Sequence, residues 1–331
     1  MIFKKTAVLS LFAASMAFTS LSAFATTFKV AVGDAEGSAQ WELGTTFKSA
    51  FEAKVGGKHK IDLFANGQLG SEETTVNSAS MGTLDFSILA VNNITPFSPT
   101  VGILTLPYVI QSAAEAKKLV TGEVGKELTE NTVRDAGVRI VGWTFTGFRV
   151  LTNSKRPVRT LEDLKGLKIR VPKNEIMIAS YQAWGINPTP MAWSETFPAL
   201  QQRVVDGQDN PYMTVSAMKF NEVQKYITNI RYVFSLEPLI VGESTFKKQT
   251  PEVQKAILAA GQEATEHSYN FLLKSEDNIR KDLMAKGMEI TDAANGEKEW
   301  IAKATTAVWP KFYDSIGGKA KLDRVQKLLG R

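Results

Sequence analysis

The chain has 331 residues, 44% of them hydrophobic, a formal charge of +5, no cysteine and two histidines, His59 and His267. Without cysteine there are no disulfides, thiolate nucleophiles or Cys-metal sites and no cysteine for a lipid anchor, and two histidines leave little for zinc or Ser-His chemistry. Basic and acidic residues alternate along most of the chain, with no basic stripe of the kind that tracks phosphates, so nucleic acid is not an expected partner.

Lys4 and Lys5 precede an apolar run from Ala7 to about Phe18, and Ala23-Phe24-Ala25 follows. This is the pattern of a signal peptide over 1–25, cleaved after Ala25. The run is shorter than the ~20 apolar residues that span a bilayer. Loss of Lys4 and Lys5 with no acid lowers the charge from +5 to +3. About 306 residues would remain, more than one core usually fills, so two domains are expected.

Thr27 to Val32 reads as a strand, with Phe28, Val30 and Val32 on one face. A helix carrying Trp41, Phe47, Phe51 and Val55 follows and stops at Gly56-Gly57. His59 to Phe64 and Leu84 to Leu89 are further strands, and this alternation predicts α/β units around a mainly parallel sheet. Glu72-Glu73 falls in a polar helix and reads as solvated. Val138 to Trp143 and Phe145 to Thr152 read as two extended runs. Thr160 with Asp163 three residues on resembles a capping box. Leu167 to Val171 is a strand, Asn174 to Trp184 a helix, and Ser194 is placed to cap the next helix. Thr250 before Pro251 caps a run to Lys286 with no interior proline, which as one helix would be about 54 Å long at ~1.5 Å per residue. Two helices meeting near Gly261 or Ser275 are the other reading.

Enzyme motifs are lacking. Gly122-Glu123-Val124-Gly125-Lys126 has neither the spacing of a phosphate loop nor a Ser/Thr after the lysine, and no H-E-x-x-H or G-x-S-x-G occurs. Two arginines are more informative. Arg149 stands among apolar and aromatic neighbours in Gly147-Phe148-Arg149-Val150-Leu151; it reads as a structural ion pair or as an anion ligand. Arg170 shares a strand face with Lys168, opposite Leu167, Ile169 and Val171, and reads as solvent-facing or as an anion ligand. A guanidinium is always charged and bidentate toward carboxylates, which makes both candidates for binding an organic acid. Trp193, at a loop-to-helix junction, and Asn210, before Pro211, are candidates to wall a cleft.

Leu167-Lys168-Ile169-Arg170-Val171-Pro172 and Val205-Asp206-Gly207-Gln208-Asp209-Asn210-Pro211, with Leu106-Pro107-Tyr108-Val109 and Pro188 to Glu195, resemble the DctP-type solute receptors of tripartite ATP-independent periplasmic (TRAP) transporters. The resemblance runs in order through essentially the whole mature chain. It implies a two-lobed periplasmic binding protein fold (type II-like), each lobe a mainly parallel sheet flanked by helices, with a long helix spanning both. The expected lobes are 26–147 plus about 236–275, and 148–235 plus about 276–331. It further implies that Arg170 holds the ligand carboxylate, Arg149 adds a second clamp, Asn210 contacts ligand and Trp193 lines the pocket. In the sialic-acid branch a glutamate stands where this chain has Ala90, and an asparagine near Gly33-Asp34, which disfavours sialic acid. Asn92 and Asn93 suit a polyhydroxy acid because amides both donate and accept; Asp34 and Glu237 are lesser candidates for the same role. The resemblance thus implies a non-enzymatic, monomeric receptor without cofactor or metal. Its ligand would be a sugar acid (aldonate or uronate), and its partner an integral-membrane permease. The alternatives are a C4-dicarboxylate or keto-acid receptor and a sensory ligand carrier.

Overall fold

The computed structural model describes residues 26–331, and the expected signal peptide lies outside them. The first part of the chain is β1 (Thr27–Val32), α1 (Ala39–Lys54), β2 (Lys60–Phe64), α2 (Glu72–Met81), β3 (Phe86–Ile88), α3 (Ala113–Thr121) and α4 (Glu123–Ala136). Then come β4 (Val138–Asn153), β5 (Ile169–Val171), α5 (Glu175–Ala183), β6 (Thr189–Pro190), α6 (Trp193–Gln201), β7 (Gly207–Pro211), α7 (Tyr212–Ala217) and β8 (Tyr226–Asn229). The chain returns through β9 (Phe234–Gly242), α8 (Glu243–Lys247) and α9 (Pro251–Ala285), and ends with β10 (Glu289–Asp292), α10 (Lys298–Phe312) and α11 (Lys319–Leu328).

The strands form one sheet in the order β2-β1-β3-β9-β4-β7-β5-β6, with β8 on β4 and β10 on β8. Pairing is parallel except where β4 and β9 are inserted, since both run antiparallel to their neighbours. The expected parallel sheets are therefore joined by an antiparallel pair that connects the two halves. The two extended runs predicted between Val138 and Thr152 are one strand of 16 residues. Its first part pairs with β9 as far as Phe148, and from Arg149 onward it pairs with β7. The apparent break was Thr144, a polar residue that is buried between them opposite Glu237.

Each half has its own aromatic core. Phe28, Phe47, Phe51 and Phe86 pack together beneath β1 and α1. Tyr181, Trp184, Tyr232 and Trp300 pack edge to face in the other half, where the Trp184 indole donates to the Trp300 carbonyl at 3.0 Å. Such pairs add ~0.5–1.5 kcal/mol each beyond the area they bury.

Helix α9 is one continuous helix of 35 residues, capped by the Thr250 hydroxyl as the sequence predicts. It lies along α1 and β4 and reaches α7, and so touches both halves. The β4–β9 ladder is interrupted by register shifts at Ile140/Gly142 and Phe145/Gly147. Nearby, the Trp143 and Phe145 N–H groups donate to Thr265 (2.9 Å) and Ser268 (3.0 Å) of α9, which keeps these buried donors satisfied. This close approach needs Gly261, where an added Cβ would stand 1.9 Å from the Val141 carbonyl oxygen. The glycine that made a break conceivable is a packing contact. Gly261→Ala is expected to lower the free energy of unfolding by about 1–3 kcal/mol; an unchanged urea midpoint would show that the helix can shift freely.

Candidate functional site

Parallel strands present ligands at their carboxyl ends. Asp34 follows β1, Ala90 to Asn93 follow β3, and Pro172 follows β5, and these loops meet in one cavity. Arg149 of β4, Asn210 of β7, Trp193 of α6 and Glu237 of β9 complete it, so all eight residues singled out in the sequence line the same space. The cavity is tight, about 20 Å3, and shares Glu72 and Trp193 with the lining of a second of about 130 Å3. The halves are closed on each other. Asn174, the N-cap of α5, donates to the Asn92 carbonyl at 3.1 Å and to the Thr95 hydroxyl at 2.9 Å across the cleft.

Arg170 is 2% exposed, not solvent-facing. The period of two is correct for β5, but the face shared with Lys168 is covered at Arg170 by α6 and by the opposite half. Its Nε and Nη2 donate to the Met191 carbonyl at 3.1 and 2.7 Å, and its guanidinium lies 5.6 Å from the Trp193 ring centre. Nη1 takes no protein acceptor among the described residues. Burial, and then the Arg149 charge, push its pKa below the ordinary arginine value. Asp209, Glu72 and Glu73 oppose this in part, but Arg170 makes no ion pair of its own among the described residues.

Arg149 has that counter-charge. Its Nε and Nη2 donate to the two Asp209 carboxylate oxygens at 3.0 and 3.3 Å, and Nη2 also reaches the Asp209 carbonyl. Asp209 in turn accepts from the Tyr232 hydroxyl. Burial lowers the Arg149 pKa, but Asp209 outweighs it and the net shift is upward. The ion-pair reading of Arg149 therefore holds. The Nε–Nη2 edge, the natural fork for a carboxylate, is already taken, and only the other edge is left for the cavity.

The remaining polar lining is amide and acid. Asn92 donates to Asn93 at 2.9 Å, Asn93 donates to Glu72, and Asn210 donates to Gln208 at 2.5 Å. Glu72 also accepts from the Ala90 N–H at 3.1 Å. Gln40 accepts from the Gly33 and Asp34 N–H groups at 2.9 and 3.1 Å. Asp34 has its pKa pushed up to about 7 by burial, against the Trp193 indole and the Arg149 charge. Glu72 is pushed up to about 8 by burial and then by Asp34. Glu237 is raised well above its ordinary value by burial, Asp34 and Glu72.

Sequence reasoning missed Glu72, Gln40 and Thr214. Glu72 is 7% exposed, against the expectation of a solvated pair, while Glu73 is half-buried. The signal was present: Glu72, Thr75, Val76 and Ala79 form the buried stripe of α2, so Glu72 is on its inner face. Ser194 does not cap α6. That helix begins at Trp193, Ser194 is exposed, and the Glu195 carboxylate instead accepts from the Ala192 N–H at 3.0 Å.

This is a two-lobed α/β binding protein with a cation-bearing cleft at its strand ends. Residues 33–316 match the family of bacterial extracellular solute-binding proteins, family 7 (DctP), and the chain belongs to that family. Proteins of this family are periplasmic receptors, and no helix among the described residues is long and apolar enough to cross a membrane. A TRAP periplasmic solute-binding protein of Roseobacter denitrificans with bound L-galactonate is 30% identical, covering 92% of this chain and 98% of that one, with a TM-score of 0.85. A TRAP receptor of Rhodobacter sphaeroides, solved without ligand in an open and partially disordered form, is 38% identical over 92% of this chain and 99% of that one. Its TM-score is 0.76. The 2,3-diketo-L-gulonate-binding periplasmic protein YiaO of Escherichia coli K12 is 28% identical, covering 85% of this chain and 86% of its own length.

Proposed function

We propose that this chain captures a sugar acid, an aldonate or uronate, in the periplasm and delivers it to the integral-membrane subunits of a TRAP permease. In this reading it is exported by residues 1–25, cleaved after Ala25, acts as a monomer and catalyses no reaction. Its lobes are 26–147 with about 236–275, and 148–235 with about 276–331. The observation that carries the reading is Arg170: a buried guanidinium that makes no ion pair of its own among the described residues, in a closed cavity otherwise lined mainly by amides and acids. A ligand carboxylate completes that pair through Nη1. The amides of Asn92, Asn93 and Asn210 read hydroxyls, and Trp193 walls the ring or chain. Arg149, already held by Asp209, orients this wall and offers its free edge to the same carboxylate. The L-galactonate and diketogulonate ligands of its relatives are monocarboxylic acids of this class.

A thermal-shift screen against aldonates, uronates, keto acids and C4-dicarboxylates tests this directly. A ligand at ~100 times its Kd stabilises the native state by about 2.7 kcal/mol, so the cognate acid should raise the transition clearly. A panel in which no organic acid moves the transition would remove the reading.

A further inference from the structure

Charge around the cavity does not balance if every carboxyl is ionised. With Arg149 matched by Asp209, Arg170 is the one cation of the lining without an ion pair, while three carboxyls, Asp34, Glu72 and Glu237, line the same cavity, all at most 7% exposed. Each comes from a different element, and Asp34 and Glu237 have one oxygen apiece (Oδ2 and Oε2) with no hydrogen-bond partner. Beside them the Thr214 hydroxyl, 3% exposed, lines the same cavity and is also unpartnered. These groups converge on a space that needs donors and acceptors from a ligand. Among the described residues, no three His, Cys, Asp or Glu side chains are placed to hold a metal ion that would offset the charge.

We propose that Asp34, Glu72 and Glu237 form a protonated wall that restricts the cleft to polyhydroxy monocarboxylates and excludes the corresponding dicarboxylates. The inference rests on the sugar-acid reading above and specifies its ligand class. The ligand's one carboxylate neutralises Arg170. Its hydroxyls meet carboxylic O–H groups, which donate as well as accept. A second carboxylate would be buried with no cation left to pair with it, beside three acids, which costs at least about 100-fold in affinity.

Binding is then linked to protons. Asp34 faces Trp193 and Arg149; Glu72 faces Asp34, Glu73 and Arg170; Glu237 faces Asp34, Glu72, Gln40 and Arg149. The closed-state pKa values of Asp34 and Glu72, about 7 and about 8, lie above their ordinary values of 3.8 and 4.5. Taking ordinary values for these carboxyls in an open, hydrated cleft, closure takes up protons, and affinity is greatest at low pH and declines as pH rises toward 8. Each linked proton changes affinity about tenfold per pH unit within that window.

Titration calorimetry of the purified protein with the pairs erythronate/meso-tartrate, galactonate/galactarate and gluconate/glucarate, at pH 6 and pH 8, tests the wall. Each diacid is its partner with the terminal alcohol oxidised. The expected result is that a monoacid binds at least about 100-fold tighter than its diacid. In buffers of different ionisation enthalpy at pH 7, protons should be taken up, and Glu237→Gln should take up fewer. A diacid binding within tenfold of its monoacid, or no proton uptake, overturns the wall but leaves the sugar-acid reading standing. Binding of none of the acids overturns both.

Discussion

Arg170→Ala loses affinity for the cognate acid by ~150- to 5,000-fold, measured by calorimetry against the unsubstituted protein. The side chain is 2% exposed, and the cavity offers no second unpaired cation, since Arg149 is bound to Asp209. A carboxylate drawn into the closed cleft would then be desolvated without its partner, at a cost of ~3–5 kcal/mol. Arg170→Lys is also impaired, for a reason visible in the geometry. The Nε and Nη2 donors are spent on the Met191 carbonyl, which holds the guanidinium plane and leaves Nη1 for the ligand. A single ammonium cannot hold Met191 and the ligand with the same geometry. Retention of full affinity by the alanine variant would place the carboxylate elsewhere.

The second large effect is on stability. Asp209→Ala is expected to lower the free energy of unfolding by ~3–5 kcal/mol, because it leaves Arg149 charged and 2% exposed with its neutralising partner gone. The Tyr232 hydroxyl loses its acceptor at the same time, a further penalty for a buried donor. Urea unfolding followed by tryptophan fluorescence reads this, since Trp184 packs on Tyr232. A loss below about 1 kcal/mol would show that Arg149 finds another partner or moves to solvent. The contrast between the two arginines is the useful outcome: one substitution removes binding, the other removes stability.

Much of the local structure was legible. Thr160 and Asp163 cap each other as their spacing predicts, the Asp163 carboxylate accepting the Thr160 N–H at 2.8 Å and the Thr160 hydroxyl accepting the Asp163 N–H at 3.4 Å. Thr250 and Pro251 start the long helix. These are short-range effects, in which the donor and acceptor are three residues apart or a ring fixes φ. Ser194 is the instructive failure. Its hydroxyl had the chemistry of a cap, but Glu195 satisfies the Ala192 N–H and the helix begins before Ser194. Two adjacent residues had competing claims to the same turn.

The arginines with which the cleft is built show where sequence stops. By itself the sequence determined the residue types at the strand ends, the order of α/β units and, through the L-K-I-R-V-P and V-D-G-Q-D-N-P blocks, the receptor family. Only the tertiary structure decided which charges meet. Arg149 and Asp209 are 60 positions apart and pair across adjacent strands, and Glu72, read as solvated, faces Asp34 and Glu237 in the closed cleft. Coulomb energy depends on separation and on the removal of water, and neither exists until the two halves fold and close. The same burial that leaves Arg170 without an ion pair raises the three carboxyls that line the cavity with it, and both effects exist only in the assembled cleft.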